Sequence, residues 1–107
     1  LTGAQLKKTL SVGLLAVSGP RVHLDLEKPA GQRLVSVTLP DGAPIDDSAL
    51  YSITTNDFVI AGGDGFSEVG KGSEIKDSGI LLRDVLVDYI KARANLSPAL
   101  DGRVTVN

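Results

Sequence analysis

The sequence contains no cysteine and no methionine. The first absence excludes disulfides and thiolate metal sites, but it leaves the compartment open, because exported proteins can also lack cysteine. The second leaves the chain without an initiator. The chain also starts inside what reads as a helix, so a fragment or a processed piece is expected. Histidine occurs once. No apolar run approaches the roughly 20 residues that a membrane span needs. No basic leader followed by a long apolar stretch opens the chain, so no signal peptide is read. There is no basic run and no stripe of interleaved aromatics, which argues against a nucleic-acid polymer as partner.

What is present describes one small globular domain. The 107 residues are 42% hydrophobic and 22% charged, and 13 acids against 11 bases leave a net charge of −2. That length suits one compact domain and is too short for two. No internal repeat and no low-complexity segment occurs.

Periodicity predicts the elements. Thr2-Gly3-Ala4-Gln5 has the spacing of a capping box, with a hydroxyl at the N-cap and an amide three residues later. A short helix over about 3–10 follows, with Leu6 and Leu10 four residues apart. Val22, Leu24 and Leu26 alternate with Arg21, His23 and Asp25, and Val35, Val37 and Leu39 alternate with Leu34, Ser36 and Thr38. A period of two is the mark of a half-buried strand. The turn at Lys28-Pro29-Ala30-Gly31 makes the two strands an antiparallel hairpin, and Pro40-Asp41-Gly42 is a second turn. Tyr51, Ile53 and Thr55 predict a third strand. A glycine-dense loop runs from Ala61 to Gly72. Asp77 or Ser78 then caps a longer helix, in which Leu81, Leu82, Val85, Leu86, Tyr89 and Ile90 form one apolar face. Arg103 to Val106 can add a last strand. The order predicts an α+β domain: a mostly antiparallel sheet, a short N-terminal helix and one longer helix near the C-terminus.

Four features invite a chemical reading. In the first, Asn56-Asp57-Phe58-Val59-Ile60-Ala61-Gly62-Gly63-Asp64-Gly65-Phe66, three glycines bracket an Asp and an aromatic follows. Glycine permits positive φ and close backbone approach. Such a loop can aim N–H groups and a flat ring at a ligand, and an aromatic face can stack on a nucleobase. It can equally be a tight turn whose Phe folds into the core, and spacing alone favours the turn. The second, Gly65 to Gly72, nearly fits a phosphate-binding P-loop, but Gly72 stands where the motif needs Ser or Thr and no apolar helix follows. The third, His23, lacks the partners of a metal site or a catalytic triad and reads as part of a solvated strand face. The fourth comprises the acids Asp46-Asp47 and Asp25/Glu27, for which turn and capping hydrogen bonds are a sufficient role. Asn95-Leu96-Ser97 is a formal glycosylation sequon, with Pro98 after it.

One resemblance spans nearly the whole chain. Thr55-Asn56-Asp57-Phe58 followed by Ala61-Gly62-Gly63-Asp64-Gly65-Phe66 is similar to the signature of the 5'-nucleotidase C-terminal domain. Leu1-Thr2-Gly3-Ala4-Gln5-Leu6-Lys7-Lys8 looks like that domain's helix opening. Val17-Ser18-Gly19-Pro20-Arg21-Val22 resembles its Ser-Gly turn and the strand after it, and Tyr51-Ser52-Ile53 looks like the strand leading into the signature. The stretch between Leu10 and Ser18 is shorter than the family's.

The resemblance implies a substrate-recognition domain, residues 1–107, without its upstream part and without the N-terminal metallophosphoesterase domain. It implies that Phe66 supplies one of two rings that sandwich a nucleobase, the other lying upstream, and that Asn56, Gly62, Gly63, Asp64 and Gly65 shape the pocket. The parent enzyme would hydrolyse nucleotides with two divalent metal ions, while this domain binds no cofactor and has no activity alone. The implied partners are a nucleotide substrate and the metallophosphoesterase domain. The implied location is periplasm, cell wall or cell surface. The alternative is a β-rich, non-enzymatic interaction module with a structural glycine turn.

Overall fold

The computed structural model describes residues 1–93 and 95–107. Helix α1 spans Gly3–Leu10, and the capping box forms as read from the sequence. The Gln5 backbone N–H donates to Thr2 Oγ1 at 3.2 Å, and the Thr2 N–H donates to Gln5 Oε1 at 2.9 Å. Each group satisfies a donor that the first helical turn would otherwise leave unpaired.

Strands β1 (Arg21–Leu24) and β2 (Leu34–Thr38) form the expected antiparallel hairpin, with a register shift between His23 and Leu24. Strand β3 (Val104–Val106) adds to the other side of β1, but parallel to it. The three-stranded sheet therefore has the order β2-β1-β3 and is mixed: the fold is α+β as expected, but of its two strand pairings only β1–β2 is antiparallel. The alternation of β3 could not reveal this, because a period of two is the same for either direction of pairing.

The central strand carries the core. Val22 and Leu24 are buried, and Leu10, Val37 and Ile45 close around them. A second, smaller cluster consists of Val59, Phe66 and Val69, with Val12 and Leu15 packed against it. The short stretch after α1 thus serves both clusters: Leu10 enters the first, and Val12 and Leu15 enter the second. Ser11 secures it by accepting backbone hydrogen bonds from Gly31 and Arg33.

Two expected elements differ. Tyr51 to Thr55 do not form a strand; the Thr2–Leu50 bridge, a pair of hydrogen bonds between Leu1 and Tyr51, and the Asp46 N–H donating to the Tyr51 hydroxyl tie the start of that region to its neighbours. The long helix, α3, spans Leu82–Arg93 and begins later than expected. Asp77 and Ser78 do not cap it. Their side chains accept from the Gly79 and Ile80 amides instead, which makes two local turns. The apolar stripe has the predicted helical spacing, yet no residue of α3 is buried. Leu82, Val85, Leu86, Tyr89 and Ile90 all stand in solvent.

Candidate functional site

The glycine loop is built from short pieces with sharp corners. Helix α2 (Asp57–Ile60) is a single turn, and Asn56 is its cap, accepting the Val59 N–H on Oδ1 at 2.9 Å. Gly62 then takes φ 91°, and a 3₁₀ turn spans Gly63–Gly65. Within that turn Asp64 has φ 55°, and Gly65 follows at φ 83°. A left-handed conformation at a residue other than glycine carries strain and needs surrounding structure to hold it. Here glycines on both sides absorb the rest of the turn. A second 3₁₀ turn, Val69–Lys71, ends the loop.

The two aromatic residues of the loop have opposite fates. Phe66 is 5% exposed and packs with Val59 and Val69. Its ring faces the interior, so it is not available to lie against a heterocycle. The stacking role expected for it would need the ring to leave this cluster, and the reason for its burial is physical. A 3₁₀ turn after Gly62 swings the chain back over α2, and the next apolar side chain fills the space beside Val59. Phe58, by contrast, is 56% exposed. It stands on the outer face of α2, and its ring lies directly over Gly63. A Cβ at Gly63 would overlap the Cδ1, Cε1 and Cζ carbons of that ring. Gly63 is thus the floor on which the exposed ring rests.

The other expected site residues belong to the same loop. Asp64 is exposed, and its carboxylate has no hydrogen bond or ion pair among the described residues. Gly62 and Gly63 are half-buried, and Gly65 is exposed. Asn56 is close in sequence, but its carbonyl oxygen is engaged by the cap. The sequence had signalled Phe58 only through its place in the signature. Nothing in the spacing distinguishes which of two aromatics eight residues apart turns outward.

The remaining candidates have structural roles. His23 Nδ1 lies 2.7 Å from Thr105 Oγ1 and links β1 to β3. Lys71, of the near-miss P-loop, pairs with Glu68 at 3.0 Å. Asp47 pairs with Lys7 at 2.6 Å. Asp46 accepts both the Ser48 backbone N–H and the Ser48 hydroxyl, each at 2.9 Å. The backbone bond, and after it the hydroxyl bond, holds the Asp46 carboxyl below its ordinary value. A group whose folded value is depressed contributes stability above its unfolded value and loses that contribution as pH falls through the folded one. The expected result is an Asp46 titration midpoint below that of a free aspartate. It should move part of the way back in Ser48→Ala, which removes only the hydroxyl; carboxyl chemical shifts followed by NMR measure both.

The described residues contain no group of three or more His, Cys, Asp or Glu side chains placed to hold a metal ion. Residues of this domain therefore do not fit the two-metal centre that the resemblance assigns to the parent enzyme. No described helix is long and apolar enough to cross a membrane.

Comparison with known proteins matches residues 1–71 to the family described as "5'-nucleotidase, C-terminal domain". The chain belongs to that family. As a 5'-nucleotidase C-terminal domain it is 33% identical over 97 residues to a 5'-nucleotidase of Diplobatis ommata, covering 84% of this chain and 17% of that protein. It is 34% identical over 99 residues to the snake venom 5'-nucleotidase of Macrovipera lebetinus, covering 86% of this chain and 24% of the relative. Its fold is shared with a solved 5'-nucleotidase precursor from Thermus thermophilus, at a TM-score of 0.89 and 32% identity, over 99% of this chain and 24% of that one. The 5'-nucleotidase C-terminal domain described here thus spans less than a quarter of the length of these relatives. Its family match ends at Lys71, at the close of the glycine loop, while the structural match continues through α3 and β3.

Proposed function

We propose that this domain recognises the substrate of a 5'-nucleotidase-type phosphohydrolase by stacking the nucleobase on Phe58. The observation that carries the reading is the half-exposed Phe58 ring, braced from below by Gly63; in the same loop the exposed carboxylate of Asp64 pairs with no described residue. An exposed phenyl face offers any base a stacking surface. A free carboxylate accepts hydrogen bonds, which hydroxyl and amino groups of a nucleoside can donate. Gly62 and Gly65, both at positive φ, let the backbone turn tightly between Phe58 and Phe66. Asn56 acts by capping α2, which fixes the direction in which Phe58 points. Phe66 anchors the loop from within.

The role is one of positioning. Holding the base fixes where the phosphate lies, and correct placement of reacting groups lowers a barrier without any chemistry from the holder. Hydrolysis of the phosphate ester falls to the metallophosphoesterase domain of the longer enzyme, with its divalent metal ions. The snake venom relatives support an exported location for that enzyme.

One stacked ring contributes about 1–3 kcal/mol, so the 107-residue chain alone should bind no tighter than about 1 mM. The test is an NMR titration with adenosine 5'-monophosphate and, separately, ribose 5-phosphate. Saturable shifts at the Phe58 ring and the Gly63 and Asp64 amides are expected with the first and not with the second. Equal shifts with both ligands, or none with either, would mean that the loop is a structural turn.

A further inference from the structure

The glycine loop leans on the rest of the domain through a small contact. Its buried cluster is Val59, Phe66 and Val69, and Val12 and Leu15 pack against it from outside the loop. Val12 also lies next to the corner itself: a Cβ at Gly65 would sit 3.7 Å from Val12 Cγ1. Where the loop stands therefore depends on how Val12 is held.

The end of the β1–β2 hairpin turn holds it. The Gly31 and Arg33 amides donate to the Ser11 carbonyl at 2.9 and 3.3 Å. The Arg33 side chain reaches one residue further, and its Nη1 donates to the Val12 carbonyl at 3.0 Å. That carbonyl accepts no other hydrogen bond among the described residues. Arg33 Nε donates to the Lys28 carbonyl at 2.8 Å, which ties the same guanidinium to the turn. Gly13 leaves room for it, since a Cβ there would stand 3.1 Å from Nη1. The guanidinium pairs with no described carboxylate. Its planar fork instead joins two backbone carbonyls from separate segments. A lysine ammonium, a point charge on a flexible stem, cannot hold two such acceptors in a fixed plane.

We propose that Arg33 is a positioning residue for nucleobase binding: by holding the Val12 carbonyl it sets Val12 against the glycine corner, and so sets the loop that presents Phe58. The inference rests on the stacking role proposed for Phe58 and deepens it. Arg33 acts through packing. Val12 touches the cluster of Val59, Phe66 and Val69, and Val59 belongs to the single turn of α2 that carries Phe58. Close-packed side chains pass on a displacement of this kind. Both backbone bonds to Ser11 survive loss of the Arg33 side chain, so α1 and the hairpin stay joined and the change falls on Val12.

Kinetics of the longer enzyme with two substrates test this. Adenosine 5'-monophosphate carries a base, and ribose 5-phosphate carries the same ester without one. Arg33→Met keeps the stem and removes both donors. It should lower kcat/KM for adenosine 5'-monophosphate about tenfold, which is part of what losing a stacking ring costs. For ribose 5-phosphate it should change kcat/KM by less than about twofold, whereas a merely structural role would lower both substrates together with the folded fraction. Arg33→Lys, the milder variant, should show the same selectivity to a smaller degree. Val12→Ala should reproduce the loss. Combined with Arg33→Met it should add little, because the two residues lie on one route. Phe58→Ala is the reference. If it lowers the preference for the base-bearing substrate and neither Arg33 variant does, the proposal is overturned and the stacking site stands. If Phe58→Ala leaves that preference unchanged, the stacking site fails and this proposal with it. Fully additive losses in the double variant overturn the route through Val12.

Discussion

Phe66→Ala should destabilise the chain by about 3–5 kcal/mol, the usual cost of truncating a buried phenyl ring. Phe58→Ala should change stability by no more than about 1 kcal/mol. The reverse should hold for ligand binding. Phe58→Ala should abolish the shifts caused by adenosine 5'-monophosphate, whereas Phe66→Leu, which keeps most of the buried volume, should retain them. The contrast rests on exposure: 5% for Phe66 against 56% for Phe58. Phe66 is the largest member of a cluster with only two other buried residues, Val59 and Val69. Removing it takes away most of that cluster's apolar contact and leaves a cavity that two valines cannot close. The glycine loop has little else to hold it, so its corners should loosen as well. Urea titrations give the stabilities from the transition midpoint at constant slope. If Phe58→Ala proved the more destabilising of the two, the assignment of inner and outer ring would be wrong.

Gly3→Ala should destabilise the fold by about 2 kcal/mol or more, although helix propensity predicts a gain. Alanine is favoured over glycine in a helix interior by about 1 kcal/mol, and Gly3 opens α1 with an ordinary helical conformation. The surrounding chain reverses the sign. A Cβ at Gly3 would overlap the carbonyl oxygen and carbon of Asp46, both backbone atoms with no rotamer to escape into. The approach is this close because the Gly3 and Ala4 amides donate to the Ala49 and Asp47 carbonyls, at 2.9 and 3.0 Å. These are two of the helix's unsatisfied first-turn donors, paired by a neighbouring turn instead of by water. Accommodating a methyl group would push that turn away and break both bonds. Overpacking costs typically 1–3 kcal/mol, and the lost hydrogen bonds add about 1 kcal/mol each. Thermal unfolding reads the result, and a raised midpoint would show that the turn can move aside freely.

The legible features of this sequence are those with a short-range cause. Thr2 and Gln5 make a capping box because both partners lie within one turn. The hairpin of β1 and β2 follows from two alternating segments with a turn between them. The apolar stripe of Leu82, Val85, Leu86, Tyr89 and Ile90 has the spacing of a helix, and a helix forms there. The family was legible too, because its signature depends on residue identity along a continuous loop.

Features that depend on distant partners were not legible. Tyr51 to Thr55 alternate like a strand, but a strand needs a neighbour, and no described residue pairs with the backbone of Ser52 to Thr55. The stripe on α3 fixes a face without fixing what covers it. β3 pairs parallel to β1 across about 80 residues of chain, and alternation carries no sign of direction. Phe58 and Phe66 are the same residue type in the same loop. Which one turns outward is decided by the positive φ values at Gly62, Asp64 and Gly65 and by the space left beside Val59 and Val69.

Residue order alone therefore determined α1, the helical spacing of α3, the hairpin, the glycine corner and the family of this domain. Tertiary structure decided which ring meets solvent, how the sheet is paired and which edge stays open. The physical reason is range: caps, turns and periodicity act within a few residues, whereas burial and strand pairing are settled by atoms brought together from opposite ends of the chain.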